Sequence, residues 1–140
     1  MVKKILVAFD GSPKSYEAFD FAVGLASSCG SHTGISVLSV VQPPESLYFV
    51  ESDSMIDAAT GHYKELLKEL EAKAGQKDLS ITTDVAVGHP ADRIVKYAKE
   101  KGCDLIVMGQ KGKSAIEGFL LGSVSRRVAT QAHCTVTIVK

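Results

Sequence analysis

Five short apolar runs alternate along the chain with stretches where apolar residues recur every three or four positions, a pattern that predicts five strands separated by four helices. Ile5-Leu-Val-Ala-Phe9 is continuously apolar, as in a strand buried on both faces, and places the first strand over Val2 to Phe9. Ser12-Pro13 opens a helix, with serine as cap and proline at the first helical position, where its missing N–H has no partner to lose. Ala18, Phe19, Ala22, Leu25 and Ala26 share one face of it, and Gly30 closes it. Ile35 to Val41 is a second buried strand, and Pro43-Pro44 then starts a polar stretch with Tyr48 and Phe49, predicted as loop to about Asp53.

A longer helix is expected from about Ser54 to Ala74, with Met55, Ile56, Ala59, Tyr63, Leu66, Leu67 and Leu70 turned inward. Lys64, Glu65, Lys68, Glu69, Glu71 and Lys73 make its other face a solvated one with i,i+4 pairing. Leu79 to Val87 reads as the third strand, and Gly88-His-Pro90 turns into a helix ending near Lys101 that buries Ile94, Val95 and Ala98. Cys103 to Met108 is the most apolar strand; a helix from about Gly122 to Ala132 and a last strand, Thr135 to Val139, complete the pattern. Strict alternation of buried strands and helices implies an α/β fold: a doubly wound, Rossmann-like, five-stranded parallel sheet of order 3-2-1-4-5, with helices on both faces. In that order a crevice opens between the carboxyl ends of the first and fourth strands, with Asp10 at one lip and Gly109 at the other.

The chemistry concentrates at those lips. Gly109-Gln-Lys-Gly112 leaves the fourth strand, and Gly122-Ser123 opens the next helix; glycines there leave backbone N–H groups unshielded, as phosphate binding requires. Two better known phosphate loops are excluded by spacing: only two residues separate Gly109 from Gly112-Lys-Ser114, too few for a Walker A loop, and Asp10-Gly11-Ser12 has one glycine where a dinucleotide fingerprint has three. Any one of Gly109, Gly112 or Gly122 has an alternative as a turn residue. Gly122 carries more weight, because within a helix it would cost about 1 kcal/mol relative to alanine and needs a compensating reason. Asp10 has two readings, a cap before Ser12 or an acceptor for ribose hydroxyls or an adenine amine. Lys111 and Lys113 rank second as phosphate contacts, and Arg126 and Arg127 are expected to face solvent or a neighbouring chain.

Composition narrows the rest. Lys plus Arg and Asp plus Glu number 16 each, which gives no general attraction to nucleic acid or an anionic membrane. Cys29, Cys103 and Cys134 are odd in number and widely spaced, and read as small buried hydrophobes rather than a disulfide or metal framework. The four histidines lack metal spacing, and His89 is assigned a capping or surface role. No Ser-His-Asp set or paired carboxylates stand out. At 140 residues the chain fits one domain, and with neither signal peptide nor long apolar run the expected compartment is the cytoplasm.

These residues resemble a known family. Ile5-Leu-Val-Ala-Phe-Asp10-Gly-Ser12, Gly88-His-Pro-Ala91, Asp104-Leu-Ile-Val-Met-Gly109 and Gly-x2-Gly-x9-Gly-Ser from Gly109 to Ser123 are similar, over the whole length, to single-domain universal stress proteins of the ATP-binding subgroup. The resemblance implies that Asp10 and the backbone near Ala8 and Val40 hold adenosine and that Met108 and Gly109 border the ribose. It places Gly112, Gly122, Ser123 and Val124 around the phosphates of ATP, with Mg2+ or Mn2+. It also implies a homodimer through Thr135 to Val139, whose edge would otherwise be unprotected, and a nucleotide-dependent switch read by a protein partner. A slow ATPase or phosphotransferase is the alternative; efficient transfer needs a positioned base, and none stands out.

Overall fold

The computed structural model describes residues 2–29, 32–43, 49–110 and 121–140, residues 49–52 as backbone only. The elements are β1 (Lys4–Ala8), α1 (Pro13–Cys29), β2 (Gly34–Val41), α2 (Phe49–Gly75), β3 (Ile81–Val87), α3 (Pro90–Glu100), β4 (Leu105–Gly109), α4 (Ser123–Gln131) and β5 (Thr135–Val139). The sheet runs β3-β2-β1-β4-β5, and every neighbouring pair is parallel, as the alternation predicted.

Side chains alternate across each strand and so feed two separate cores. Ile5, Val7 and Phe9 of the first strand's run join Phe19 and Val23 of α1 and Leu67, Leu70 and Ala74 of α2 on one face. Leu6, Leu38, Ile106 and Met108 join Ala91, Ile94 and Ala98 of α3 and Val128 of α4 on the other. Each helix follows one strand of the parallel sheet and leads to the next. All four amino termini, the positive ends of the helix dipoles, therefore stand at the carboxyl edge of the sheet.

Local chemistry sets the start of α1 as expected: the Ser15 N–H donates to Ser12 Oγ at 3.2 Å, with Pro13 the first helical residue. In α2 the structure departs from the pattern. The helix begins at Phe49, inside the expected loop, because Phe49 to Asp53 is polar but contains no glycine or proline to break it. Met55, expected inside, is 58 % exposed. At 27 residues α2 is about 40 Å long, whereas the eight residues of β2 span about 26 Å. Its first turns therefore overhang the sheet edge, and its buried contacts begin at Leu67.

The charged face of α2 also differs from expectation. Among the described residues no ion pair closes within that helix; Lys73 reaches Asp20 of α1 at 3.7 Å, and Glu71 accepts from the Thr83 hydroxyl of β3 at 2.6 Å. Cys103 is buried and Cys134 half-buried, and burial pushes both thiols up. Cys29 is exposed, contrary to the buried role expected for it, because it ends α1 beyond the covered stretch.

Asp104 ties the amino edge together. Its Oδ2 accepts from the N–H groups of Lys3 at 2.8 Å and Lys4 at 2.9 Å, and these two donors hold its carboxyl below the ordinary value of 3.8. A depressed folded-state pKa contributes stability at neutral pH that disappears as the pH falls through 3.8 toward the folded value. Asp104→Ala is therefore expected to lower the urea midpoint at pH 7, and the gap from wild type should narrow as the pH falls below 3.8. A gap independent of pH would mean that the two hydrogen bonds do not stabilise the folded state.

Candidate functional site

β1 and β4 run side by side only as far as Val7 and Val107. Beyond that point they part. The Phe9 N–H donates to the Leu38 carbonyl of β2 at 3.0 Å, while the Gln110 N–H donates to the Val139 carbonyl of β5 at 2.9 Å. Ser39, fully buried, fastens the first of these bends by donating its hydroxyl to the Phe9 carbonyl at 2.7 Å. A crevice thus opens at the place where the winding reverses, as the strand order demands.

The predicted residues gather around it. Ala8, Val40, Met108 and Val124 all belong to the apolar cluster on the α3 and α4 face. Asp10 lies just past β1, where its Oδ1 accepts from the Ser12 N–H at 2.9 Å and Gly11 takes φ +82°, so the turn reading of Asp10 is realised. The same position puts the carboxylate at the lip of the crevice. Gly112, Lys111 and Lys113 lie outside the described residues, as does Tyr48.

Gly109 and Gly122 turn out to be glycines for different reasons. Gly109 pairs with Val139, and a Cβ there would sit 2.7 Å from Lys14 Cβ and 2.9 Å from the Lys14 carbonyl carbon. Close packing of α1 on β4 accounts for this glycine without any ligand. Gly122 is the N-cap of α4, with φ −59° and ψ 156°, and so carries none of the helix-interior cost inferred from sequence. Its own N–H donates to the Gln110 carbonyl at 2.9 Å. The first intrahelical bond of α4 runs from Arg126 N–H to Gly122 carbonyl at 3.0 Å, so the N–H groups of Ser123, Val124 and Ser125 precede it without intrahelical partners. Ser123 itself is exposed.

Three contacts escaped the sequence reading. Tyr63 of α2 comes close enough to Asp10 that burial first, and then the Asp10 charge, raise its phenol pKa. Ser125 is 3 % exposed and donates its hydroxyl to the Gly109 carbonyl at 2.8 Å. Arg127, expected to face solvent or another chain, is partly exposed and also places Nη2 2.9 Å from Asp92 Oδ1 and Nη1 3.1 Å from His89 Nε2. His89 is the N-cap residue of α3 but makes no side-chain cap, so its capping role is backbone only. Repeats and motifs could not reveal these pairs, whose partners are 16 to 38 residues or more away in sequence.

Among the described residues no three His, Cys, Asp or Glu side chains converge to hold a metal ion. Two shallow depressions of about 460 and 590 Å3 lie at the opposite, amino edge of the sheet, lined by Glu71, Gly75 and Asp78 to Ile81 and by Gly102 to Asp104 with His133 to Thr135. Among the described residues the helix amino termini stand at the other, carboxyl edge. No helix among the described residues is long and apolar enough to cross a membrane.

Comparison with known proteins bears on this crevice. The model of the universal stress protein family matches residues 1–140. The universal stress protein YxiE of Bacillus subtilis is 36% identical over 148 residues, covering all of both chains. Universal stress protein UspA from Lactobacillus plantarum superposes with a TM-score of 0.91 at 26% identity, over 99% of this chain and 98% of that one. A universal stress protein solved in complex with cAMP superposes with a TM-score of 0.74 at 28% identity, over 99% and 97% of the two chains.

Proposed function

This chain belongs to the universal stress protein family, and from that premise we propose that it binds an adenine nucleotide, ATP with Mg2+ or Mn2+, in the crevice between β1 and β4. The observation that carries the reading is the parting of those strands directly before the amino terminus of α4, where Ser123, Val124 and Ser125 offer N–H groups ahead of the first helical bond. The cAMP complex of a relative supports the choice of an adenine nucleotide.

In this reading the adenosine lies against the backbone near Ala8 and Val40 with Asp10 accepting from its hydroxyls, and Met108 and Gly109 border the ribose. Gly112, Gly122, Ser123 and Val124 surround the phosphates. The divalent ion is held chiefly by the phosphates, as is usual for magnesium. The nucleotide-bound chain then acts in the cytoplasm as a regulatory switch for a protein partner, as a homodimer. β5 supports the last point, because it is one of the two edge strands and its outer backbone groups can pair with a second copy.

Titration of the purified protein with Mg-ATP, followed by calorimetry, tests the binding; a protein that binds neither ATP nor adenosine at millimolar concentration refutes it. Phosphate release followed in the same samples separates switch from enzyme, since turnover of about 1 per second or faster is enzymatic. Asp10→Asn is the sharper variant. Asparagine keeps an oxygen for the Ser12 N–H but turns a donor toward the nucleoside, so the fold should hold while adenosine affinity falls about tenfold. An unchanged dissociation constant would leave Asp10 with its turn role alone.

A further inference from the structure

We propose that Ser125 and Arg127 are positioning residues: they hold the first turn of α4 at the spacing from β4 that phosphate binding needs, without touching the nucleotide through their side chains. The proposal rests on the nucleotide reading above. It starts from how little apolar packing locates this helix. α4 has nine residues, of which only Ser125 and Val128 are buried. One valine and a half-buried Val124 leave the rotation and tilt of so short a helix underdetermined, and polar contacts must complete the placement.

Those contacts come from two sides. Toward the sheet, the buried Ser125 hydroxyl donates to the Gly109 carbonyl at 2.8 Å, and one turn earlier the Gly122 N–H donates to the Gln110 carbonyl at 2.9 Å. Two consecutive carbonyls at the end of β4 therefore fasten the first turn of α4. Gly109 is itself paired with Val139 of β5 and closely approached by Lys14 of α1. Toward α3, the Arg127 guanidinium spans Asp92 at 2.9 Å and the His89 ring at 3.1 Å, both in or before the first turn of that helix. Arg127 and Asp92 have side chains 41 % and 55 % exposed, so their ion pair contributes little to global stability. Its consequence is angular. A guanidinium is rigid and planar, and its joint contact with the Asp92 carboxylate and the His89 ring, whose nitrogens lie 3.3 and 3.1 Å from Nη1, fixes the direction in which α4 leaves the crevice.

The phosphates would feel a change in this placement, and the adenosine would not. N–H groups aimed at a phosphate weaken their hydrogen bonds when displaced by a fraction of an ångström, while Ala8 and Val40 in β1 and β2, and Asp10 just past β1, are placed chiefly by the sheet. Ser125→Ala and Arg127→Met are therefore each expected to weaken ATP binding about tenfold, an effect of the size seen when residues that orient ligating groups are lost. Adenosine binding should stay within about twofold of wild type.

The test is calorimetric titration of wild type, Ser125→Ala, Ser125→Thr and Arg127→Met with adenosine, AMP and Mg-ATP, with thermal midpoints measured alongside. The readout is the ratio of ATP to adenosine affinity, which general loosening of the fold would not move. A fallen ratio in Ser125→Ala and Arg127→Met, with the hydroxyl-bearing Ser125→Thr closer to wild type, supports the positioning role. Parallel loss of both ligands, or no loss in a wild type that does bind ATP, overturns it. A wild type that binds neither ligand removes the nucleotide reading itself, and is recognised before any variant is compared.

Discussion

Replacing Gly122 by valine is expected to weaken ATP binding at least about a hundredfold while shifting the thermal midpoint by only a few degrees. Gly122 has an extended backbone, φ −59° and ψ 156°, which a β-branched residue adopts without strain. As an N-cap, valine is inferior to glycine by about 1 kcal/mol, which for a chain of 140 residues moves the midpoint by about 3 °C. The effect on phosphate is larger. A valine at 122 would add bulk at the residue directly preceding the N–H groups of Ser123, Val124 and Ser125, and each charge-assisted hydrogen bond lost there is worth about 1.5–3 kcal/mol. Two such losses exceed a hundredfold in affinity at about 1.4 kcal/mol per factor of ten. Calorimetric titration with Mg-ATP checks this, and an unchanged dissociation constant would remove the phosphates from the start of α4.

Gly109→Ala should behave in the opposite way, with a large loss of stability. The new methyl would lie 2.7 Å from Lys14 Cβ and 2.9 and 3.0 Å from the Lys14 carbonyl carbon and oxygen. The last two are backbone atoms of α1, and they can yield only if the helix moves off β4. Overpacking of this kind costs about 1–3 kcal/mol, or a fall in midpoint of about 3–10 °C. Urea unfolding of the variant measures it directly; a midpoint equal to wild type would mean that α1 does not press on β4 at Gly109. Side by side, the two substitutions test whether Gly122 serves the proposed ligand while Gly109 serves packing, a distinction their shared motif conceals.

Much of the architecture was legible because it depends on local periodicity. Continuous apolar runs such as Ile5 to Phe9 and Leu105 to Met108 mark strands buried on both faces, and once five of them alternate with helices, chirality leaves few sheet orders. Asp10 and Gly109 could be assigned to opposite lips of one crevice for the same reason: strand order alone places them there. Boundaries were less legible. The stretch following Pro43-Pro44 to about Asp53 resembled a loop, yet the helix already begins at Phe49, and Met55 remains in solvent because α2 outruns the sheet it packs on.

The sequence by itself determined the elements, the parallel sheet with its switch point, and the family, since all three follow from residue pattern and short-range motifs. The tertiary structure alone decided that Gly109 is a glycine for packing, that Gly122 is an N-cap and not a helix-interior residue, and how α4 is held. Gly109 meets Lys14 across 95 positions, Ser125 meets Gly109 across 16, and Arg127 meets His89 across 38 and Asp92 across 35. Such contacts depend on distances between packed elements and leave no periodic trace along the chain. A turn glycine, a packing glycine and a phosphate glycine are written with the same letter; only the atoms that approach the missing Cβ tell them apart.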